Sequence, residues 1–229
     1  MNLEDQIKEF YNINQFPGHY RISDFDQYST PIENKYLNII EQSLKDKKKI
    51  LDIGCGTGLI SNLFAIRYPT KQFSAIDFSN GIDYAIGFSK QNNIKNVSFI
   101  KQDFTKWNTD EKFDCIICQG VLHHIPDYTS AVSSINSMLT DNGVLILGLY
   151  HPWGKIIKNF FSIKYCSHTL YMDQENNPYE ETYTPADVQA MFKNYKCVQM
   201  YPSFLNTVSL NALFNYHNGG LITYVMEKN

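Results

Sequence analysis

One stretch constrains this chain more than any other: Ile50-Leu51-Asp52-Ile53-Gly54-Cys55-Gly56-Thr57-Gly58-Leu59-Ile60. An apolar run of strand character enters three alternating glycines and leaves in a helical pattern. Glycines there permit a sharp turn and let the backbone lie against a ligand, at a helix start with free N–H groups. Nineteen residues past Gly58, Asp77 stands at the end of the next apolar run. An acid so placed can accept hydrogen bonds from both ribose hydroxyls of a nucleoside. A tight turn plus a helix-capping aspartate would account for each feature singly. Loop, strand ends and acid in this order point instead to a nucleoside site.

The surrounding pattern is of one kind. Strands are predicted at Lys49–Gly54, Gln72–Asp77, Val97–Gln102, Phe113–Cys118 and Gly143–Tyr150. Helical stretches such as LISNLFAIRY and SAVSSINSML lie between them, and Val132, Ile135, Met138 and Leu139 share one face of the second. The turn Asp141-Asn142-Gly143 ends that helix, with residues that tolerate positive φ. Such alternation predicts an α/β fold: a doubly wound, mostly parallel sheet with helices on both faces. After Tyr150 the rhythm breaks, and residues 151–183 hold one short helical stretch, GKIIKNFFSIKY, in otherwise turn-rich sequence. Thr184-Pro185-Ala186-Asp187 then opens a helix, with Thr as N-cap and Pro in the first turn. Strands at about Lys196–Ser203 and Leu221–Glu227, separated by a segment ending in Asn218-Gly219-Gly220, are expected to form an antiparallel pair at the sheet edge. A single domain is expected: a helical cap (1–44), a ligand-binding core (45–150), a lid (151–183) and a closing unit (184–229).

Composition narrows the partners. With 229 residues, 43% hydrophobic and 19% charged, the chain can build one core and lacks a disorder signature. No run approaches the roughly 18 apolar residues of a membrane helix, and MNLEDQIKEF is too polar for a signal peptide, so a soluble, cytoplasmic protein is expected. A net charge of −3 and arginine only at Arg21 and Arg67 speak against nucleic acid. The lysines of Lys45–Lys49 read as a solvated lead-in to the first strand. Five cysteines argue for reduced thiols. Cys115 and Cys118 fall in a buried strand, where residues three apart face opposite ways and cannot share a metal or a disulfide.

The dinucleotide fingerprint would need a third glycine where Leu59 stands, and no Gly-Lys-Ser/Thr marks a P-loop. G-x-G-x-G with an acid two residues earlier resembles the first motif of the class I S-adenosylmethionine-dependent methyltransferases. That resemblance implies a seven-stranded sheet. It places Asp52 near the methionine end of the cofactor, beside the loop of Gly54, Cys55, Gly56 and Gly58. AIDFS resembles the second motif, which implies Asp77 on the ribose and Phe78 beside the adenine. KQDFTKW resembles the third, implying that Asp103 meets the adenine amino group and Phe104 borders the ring. FDCIICQGVLHHIPD resembles the fourth, with Gln119 and Gly120 beneath the methionine moiety. LTDNGVLIL is similar to the family's turn before the fifth strand, although Asp141 and Asn142 replace its Pro and first Gly. The family's use of N-terminal helices as lids implies that Gly18-His19-Tyr20-Arg21 folds over the cofactor mouth, with Arg21 reaching its carboxylate.

With that cofactor the reaction is an in-line displacement at a sulfonium methyl, and the protein chiefly aligns the partners. A base is needed only where the acceptor loses a proton as it attacks. His123 and His124, after the fourth strand, are the candidates, with shaping of the loop as the alternative. A metal site from His123, His124 and Asp127 is disfavoured because no second cluster completes it. Tyr20, Tyr150, His151 and Trp153 are candidates for the substrate side, against plain packing. The expectation is methylation of a small-molecule acceptor on oxygen or nitrogen, leaving S-adenosylhomocysteine. Alternatives are an RNA (tRNA) methyltransferase, a non-catalytic cofactor-binding subunit and a nicotinamide oxidoreductase. Oligomeric state is open.

Overall fold

Apolar side chains on both faces make Lys49–Ile53 (β1) a central strand, buried from Ile50 onward. It pairs in parallel with Gln72–Asp77 (β2) on one side and Phe113–Gln119 (β4) on the other. The computed structural model describes residues 1–28, 35–152, 177–201 and 221–229. With Val97–Lys101 (β3), Leu139–Tyr150 (β5), Tyr195–Tyr201 (β6) and Leu221–Lys228 (β7), the sheet runs β3-β2-β1-β4-β5-β7-β6. Strands β1 to β5 pair in parallel, and β7 is antiparallel to both β5 and β6. The expected antiparallel pair is present, but the last strand slots between β5 and β6. That leaves β6, exposed along its middle, as the edge.

Six α-helices are described: α1 (Leu3–Ile13), α2 (Lys35–Ser43), α3 (Leu59–Arg67), α4 (Gly81–Gln91), α5 (Tyr128–Met138) and α6 (Pro185–Met191). One face of the sheet packs Ile135, Met138, Val188 and Phe192 against Leu51, Ile116 and Leu147. The other packs Leu37, Ile40, Leu63 and Phe88 against Ile50, Ile117 and Ile146. Cys118 belongs to the first core and Cys115 to the second, as alternation along a strand requires.

Local sequence explains the ends of these elements. Thr184 Oγ1 accepts from Asp187 N at 3.3 Å while the Asp187 carboxylate accepts from Thr184 N at 2.8 Å, a reciprocal cap on α6. Asn142 takes positive φ (62°), and a Cβ on Gly143 would lie 2.6 Å from Leu139 Cγ. The strand predicted from Gly143 begins at Leu139, with the Asp141-Asn142-Gly143 turn absorbed as a register shift opposite Phe113 and Cys115. Lys71, buried, donates to the carbonyls of Leu44, Lys45 and Lys47 at 2.6, 2.9 and 2.6 Å, tying the link from α2 to β1. Among the described residues no helix is long and apolar enough to cross a membrane. The expected helix in GKIIKNFFSIKY and the segment ending at Gly220 lie outside the described residues.

Candidate active site

The glycine turn is locked from within. Gly54, Gly56 and Gly58 have φ of 68°, 53° and 75°, the left-handed region open to residues without Cβ. Gly54 N and Cys55 N donate to Ile76 O at 2.8 and 3.2 Å, and Thr57 N donates to Phe16 O at 2.9 Å. Gly58 N donates to Cys55 O at 2.8 Å and Gly56 N to Asp77 Oδ2 at 2.8 Å. Every amide from Gly54 to Gly58 therefore has a protein acceptor, and the free N–H groups expected at the helix start fall to the first turn of α3, beyond Gly58. A pyrophosphate bound at such a turn needs the amides of the turn itself; a nucleoside held by carboxylates does not.

Three carboxylates stand at the ends of β1, β2 and β3. Asp77 Oδ1 accepts from Ser79 N at 2.7 Å, and each of its oxygens keeps a second lone pair for another donor. Asp103 Oδ1 accepts from Thr105 N and Oγ1 at 2.9 and 2.8 Å, while Oδ2 lies 3.3 Å from Lys106 Nζ. Lys106 also holds Glu4 of α1 at 2.9 Å. Phe104 is buried, and the half-buried Phe78 ring meets Tyr11 of α1 edge-on at 6.2 Å. Asp52 is 5% exposed and accepts from Ser61 Oγ. Burial pushes its carboxyl up to about 7, against the Ser61 bond, with the Asp77 charge adding to the rise.

Because folding raises this acid's pKa, its contribution to stability is complete below the usual carboxylate range and is lost as pH rises to about 7. Urea midpoints are expected to fall between pH 5 and pH 8 in the wild type and to fall less in Asp52→Asn. Equal slopes in the two proteins would refute this.

After β4 the backbone turns at Gly120. Gly120 has φ 72° and open space where a side chain would project. Gln119 is half-buried, and neither of its buried amide atoms has a hydrogen-bond partner among the described residues. A Cβ on Gly148 would lie 1.8 Å from Gln119 Oε1, so only glycine lets that side chain rest there. Such unpaired amide atoms suit a polar ligand, since a buried unpaired group costs about 1–3 kcal/mol. With the three carboxylates, this donor and acceptor set fits the ribose, adenine amino group and amino-acid end of S-adenosylmethionine.

His123 is fully buried, 0% exposed, and its nitrogens have no hydrogen-bond partner among the described residues. Burial, then the neighbouring His124, holds its pKa well below the usual imidazole value, so it is neutral. Its ring lies 4.1 Å from both the His124 and Tyr150 rings. The segment 177–183 crosses this cluster: Glu181 N donates to His123 O at 2.9 Å, and Tyr183 N to Tyr150 O at 2.8 Å. His151 is buried, which lowers its pKa. Trp153 lies outside the described residues.

Two expected site residues fall elsewhere. Tyr20 is buried behind the loop, donating to Thr57 O at 2.9 Å and accepting from Asn62 Nδ2 at 3.0 Å, so it anchors the turn. The Arg21 side chain is 85% exposed and pairs with Asp24 at 3.7 Å; the structure does not bring it to the loop. Cys55 is in the turn, buried, its thiol pushed up by burial. Asp127 caps α5 through Ser130 N at 3.1 Å, and no group of three or more His, Cys, Asp or Glu among the described residues could hold a metal. Sequence reasoning missed Tyr11, Ser79, Val121 and Asn177. Val121 packs so closely that a Cβ on Gly54 would lie 2.2 Å from its Cγ2. Ser79 and Val121 lie inside the second and fourth motif stretches without being singled out there, and Tyr11 and Asn177 belong to no motif.

Residues 44–207 match a family model described as a methyltransferase domain. Among curated proteins, (S)-coclaurine N-methyltransferase of Papaver somniferum is 27% identical over 143 residues, 62% of this chain and 41% of that protein. Malonyl-[acyl-carrier protein] O-methyltransferase of Acetivibrio thermocellus is 27% identical over 159 residues, 68% and 55% of the two chains. The chain thus spans about half the length of these relatives. Among solved structures, the N-methyltransferase NodS of Bradyrhizobium japonicum with S-adenosyl-L-homocysteine superposes with a TM-score of 0.58 at 15% identity, covering 99% of this chain and 96% of that one. The plantazolicin methyltransferase BpumL, also with S-adenosylhomocysteine, gives 0.62 at 17%, with the same coverage. These two likenesses show the fold.

Proposed function

The chain belongs to the class I S-adenosylmethionine-dependent methyltransferases, and on that premise we propose that it methylates an oxygen or nitrogen of a small molecule. The observation that carries this reading is the Asp77 bracket. One carboxylate holds the glycine turn and the Ser79 amide together while keeping lone pairs for a ribose. When bound, the cofactor supplies a methyl group already activated on a sulfonium. Asp77 and Asp103 would hold its nucleoside, and Phe78 would flank the base. Gln119 and Asp52 would face its amino-acid end. An ammonium beside Asp52 favours the ionised carboxylate and so offsets the burial that raises its pKa.

For the acceptor, His123 or His124 would take the proton, and Tyr150 and His151 would help to form the wall. Buried and neutral, His123 can accept a hydrogen bond from a hydroxyl or an amine. A small acceptor suits a net charge of −3 and a site crossed by the Asn177–Tyr183 stretch. The similarity to a coclaurine N-methyltransferase agrees with that class. An RNA acceptor would require a basic face and salt-dependent binding.

Calorimetry with S-adenosylmethionine and S-adenosylhomocysteine tests the premise. Dissociation constants in roughly the 1 μM–1 mM range of enzyme substrates are expected. No binding heat at millimolar ligand would overturn the reading. Release of labelled methyl groups into an extract fraction would separate an enzyme from a non-catalytic subunit.

A further inference from the structure

Tyr11 belongs to no motif, yet it touches three parts of the site. Its ring meets Phe78 edge-on at 6.2 Å and His124 at 5.7 Å, and its hydroxyl accepts from Asn177 Nδ2 at 3.0 Å. Asn177 Nδ2 also lies 3.1 Å from His124 Nδ1. The orientation of that amide is settled by Tyr179 N, which donates to Asn177 Oδ1 at 3.1 Å; a flipped amide would set two donors against each other. The same His124 Nδ1 lies 2.9 Å from the carbonyl oxygen of Tyr179.

One ring nitrogen thus has both a donor and an acceptor in reach. With its hydrogen on Nδ1, the ring donates to Tyr179 O and Nε2 carries the lone pair. With the hydrogen on Nε2, Nδ1 accepts from Asn177 instead. Neither form requires the ring to move. The rings around it are Tyr11 at 5.7 Å, His123 at 4.1 Å and Tyr150 at 6.2 Å, and burial keeps His123 neutral. The crossing segment carries two acids, Glu180 and Glu181, and Glu181 accepts from the Tyr183 hydroxyl at 2.9 Å.

We propose that Asn177 and Tyr11 are positioning residues that set the tautomer of His124, and that Tyr11 links that choice to the cofactor corner at Phe78. In the Nδ1–H form, Nε2 takes the proton that the acceptor's hydroxyl or amine gives up. The imidazolium keeps its Nδ1–H on Tyr179 O and returns the other proton to water. In the Nε2–H form the ring can only donate toward the acceptor. The proton transfer and the link to the cofactor corner rest on the methyltransferase reading; the control of the tautomer does not.

The test uses the full chain with ¹⁵N-labelled histidine, at a pH where imidazoles are neutral, and His124→Gln to assign the ring. Wild-type Nδ1 and Nε2 resonances are expected between the two pure-tautomer positions. N177D replaces the donor with a carboxylate that only accepts, and should move both resonances to the Nδ1–H end. An unchanged ring spectrum in N177D, with the backbone amide spectrum intact, overturns the tautomer control. Adding S-adenosylhomocysteine should shift the His124 resonances in the wild type and not in Y11F. An equal shift in Y11F overturns the link. Should S-adenosylhomocysteine fail to bind the wild type, the methyltransferase reading falls, while the N177D comparison still decides the tautomer control.

Discussion

Replacing Asp77 with alanine is expected to lower folding stability by about 2–4 kcal/mol and to weaken S-adenosylhomocysteine by at least about 100-fold. The first figure follows from the two backbone bonds that the carboxylate accepts, from Gly56 N at 2.8 Å and Ser79 N at 2.7 Å. Hydrogen bonds to a charged group contribute roughly 1.5–3 kcal/mol each, less where solvent reaches the site, as it does at half-buried Asp77. The second follows because the same oxygens are the acceptors left for a ribose. Asp77→Asn separates the two effects. Its amide keeps one acceptor but turns a donor toward Gly56 N or Ser79 N, so about 1–2 kcal/mol of stability should be lost. Urea midpoints and calorimetry on the three proteins decide. Binding that fails in Asp77→Ala with stability unchanged would mean that the turn does not depend on this bracket.

How far the sequence reaches is visible at the same turn. Strand–glycine–helix spacing located the ligand end of the sheet, because a three-glycine turn after a buried strand has few other uses. It could not show that Phe16, far away in the chain, closes over Gly56 through its carbonyl, since such a contact has no local signature. The parallel order of β1 to β5 was legible from alternating strands and helices, whereas the insertion of β7 between β5 and β6 depends on tertiary pairing alone. Asp77 sits at a strand end, where spacing finds it, whereas Asp103 and Gln119 are legible only through the motif resemblance. Tyr11 and Asn177, 166 residues apart, meet only because the fold brings α1 and the 177–183 stretch together. Tyr20 and Arg21 show the converse case: the family's N-terminal lid implies that both reach the cofactor mouth, whereas the chain turns Tyr20 inward to Thr57 and Arg21 out to Asp24.

Gly58→Ala should destabilise the protein by about 2–4 kcal/mol, because two costs meet at one atom. Gly58 is the N-cap of α3 at φ 75° and ψ 22°, where a non-glycine residue costs about 1 kcal/mol. Its Cβ would also lie 2.6 Å from Ala85 Cβ and 2.9 Å from Phe99 Cε1. Ala85 is in α4 and cannot retreat without moving that helix, and a crowded core site costs about 1–3 kcal/mol. Gly87, in the same helix α4, is the control. It has negative φ and nothing within 4 Å of a built Cβ, so Gly87→Ala should be neutral or gain about 0.5–1 kcal/mol from helix propensity. Gly56→Ala separates turn from core. Its Cβ would meet the Phe16 carbonyl at 2.1 Å, so the strain falls on the 14–20 segment that straps the loop. Proteolysis within the first twenty residues should then speed up while the urea midpoint moves less than in Gly58→Ala. If Gly58→Ala and Gly87→Ala have equal midpoints, the close approach of α4 to the turn is not what demands glycine there.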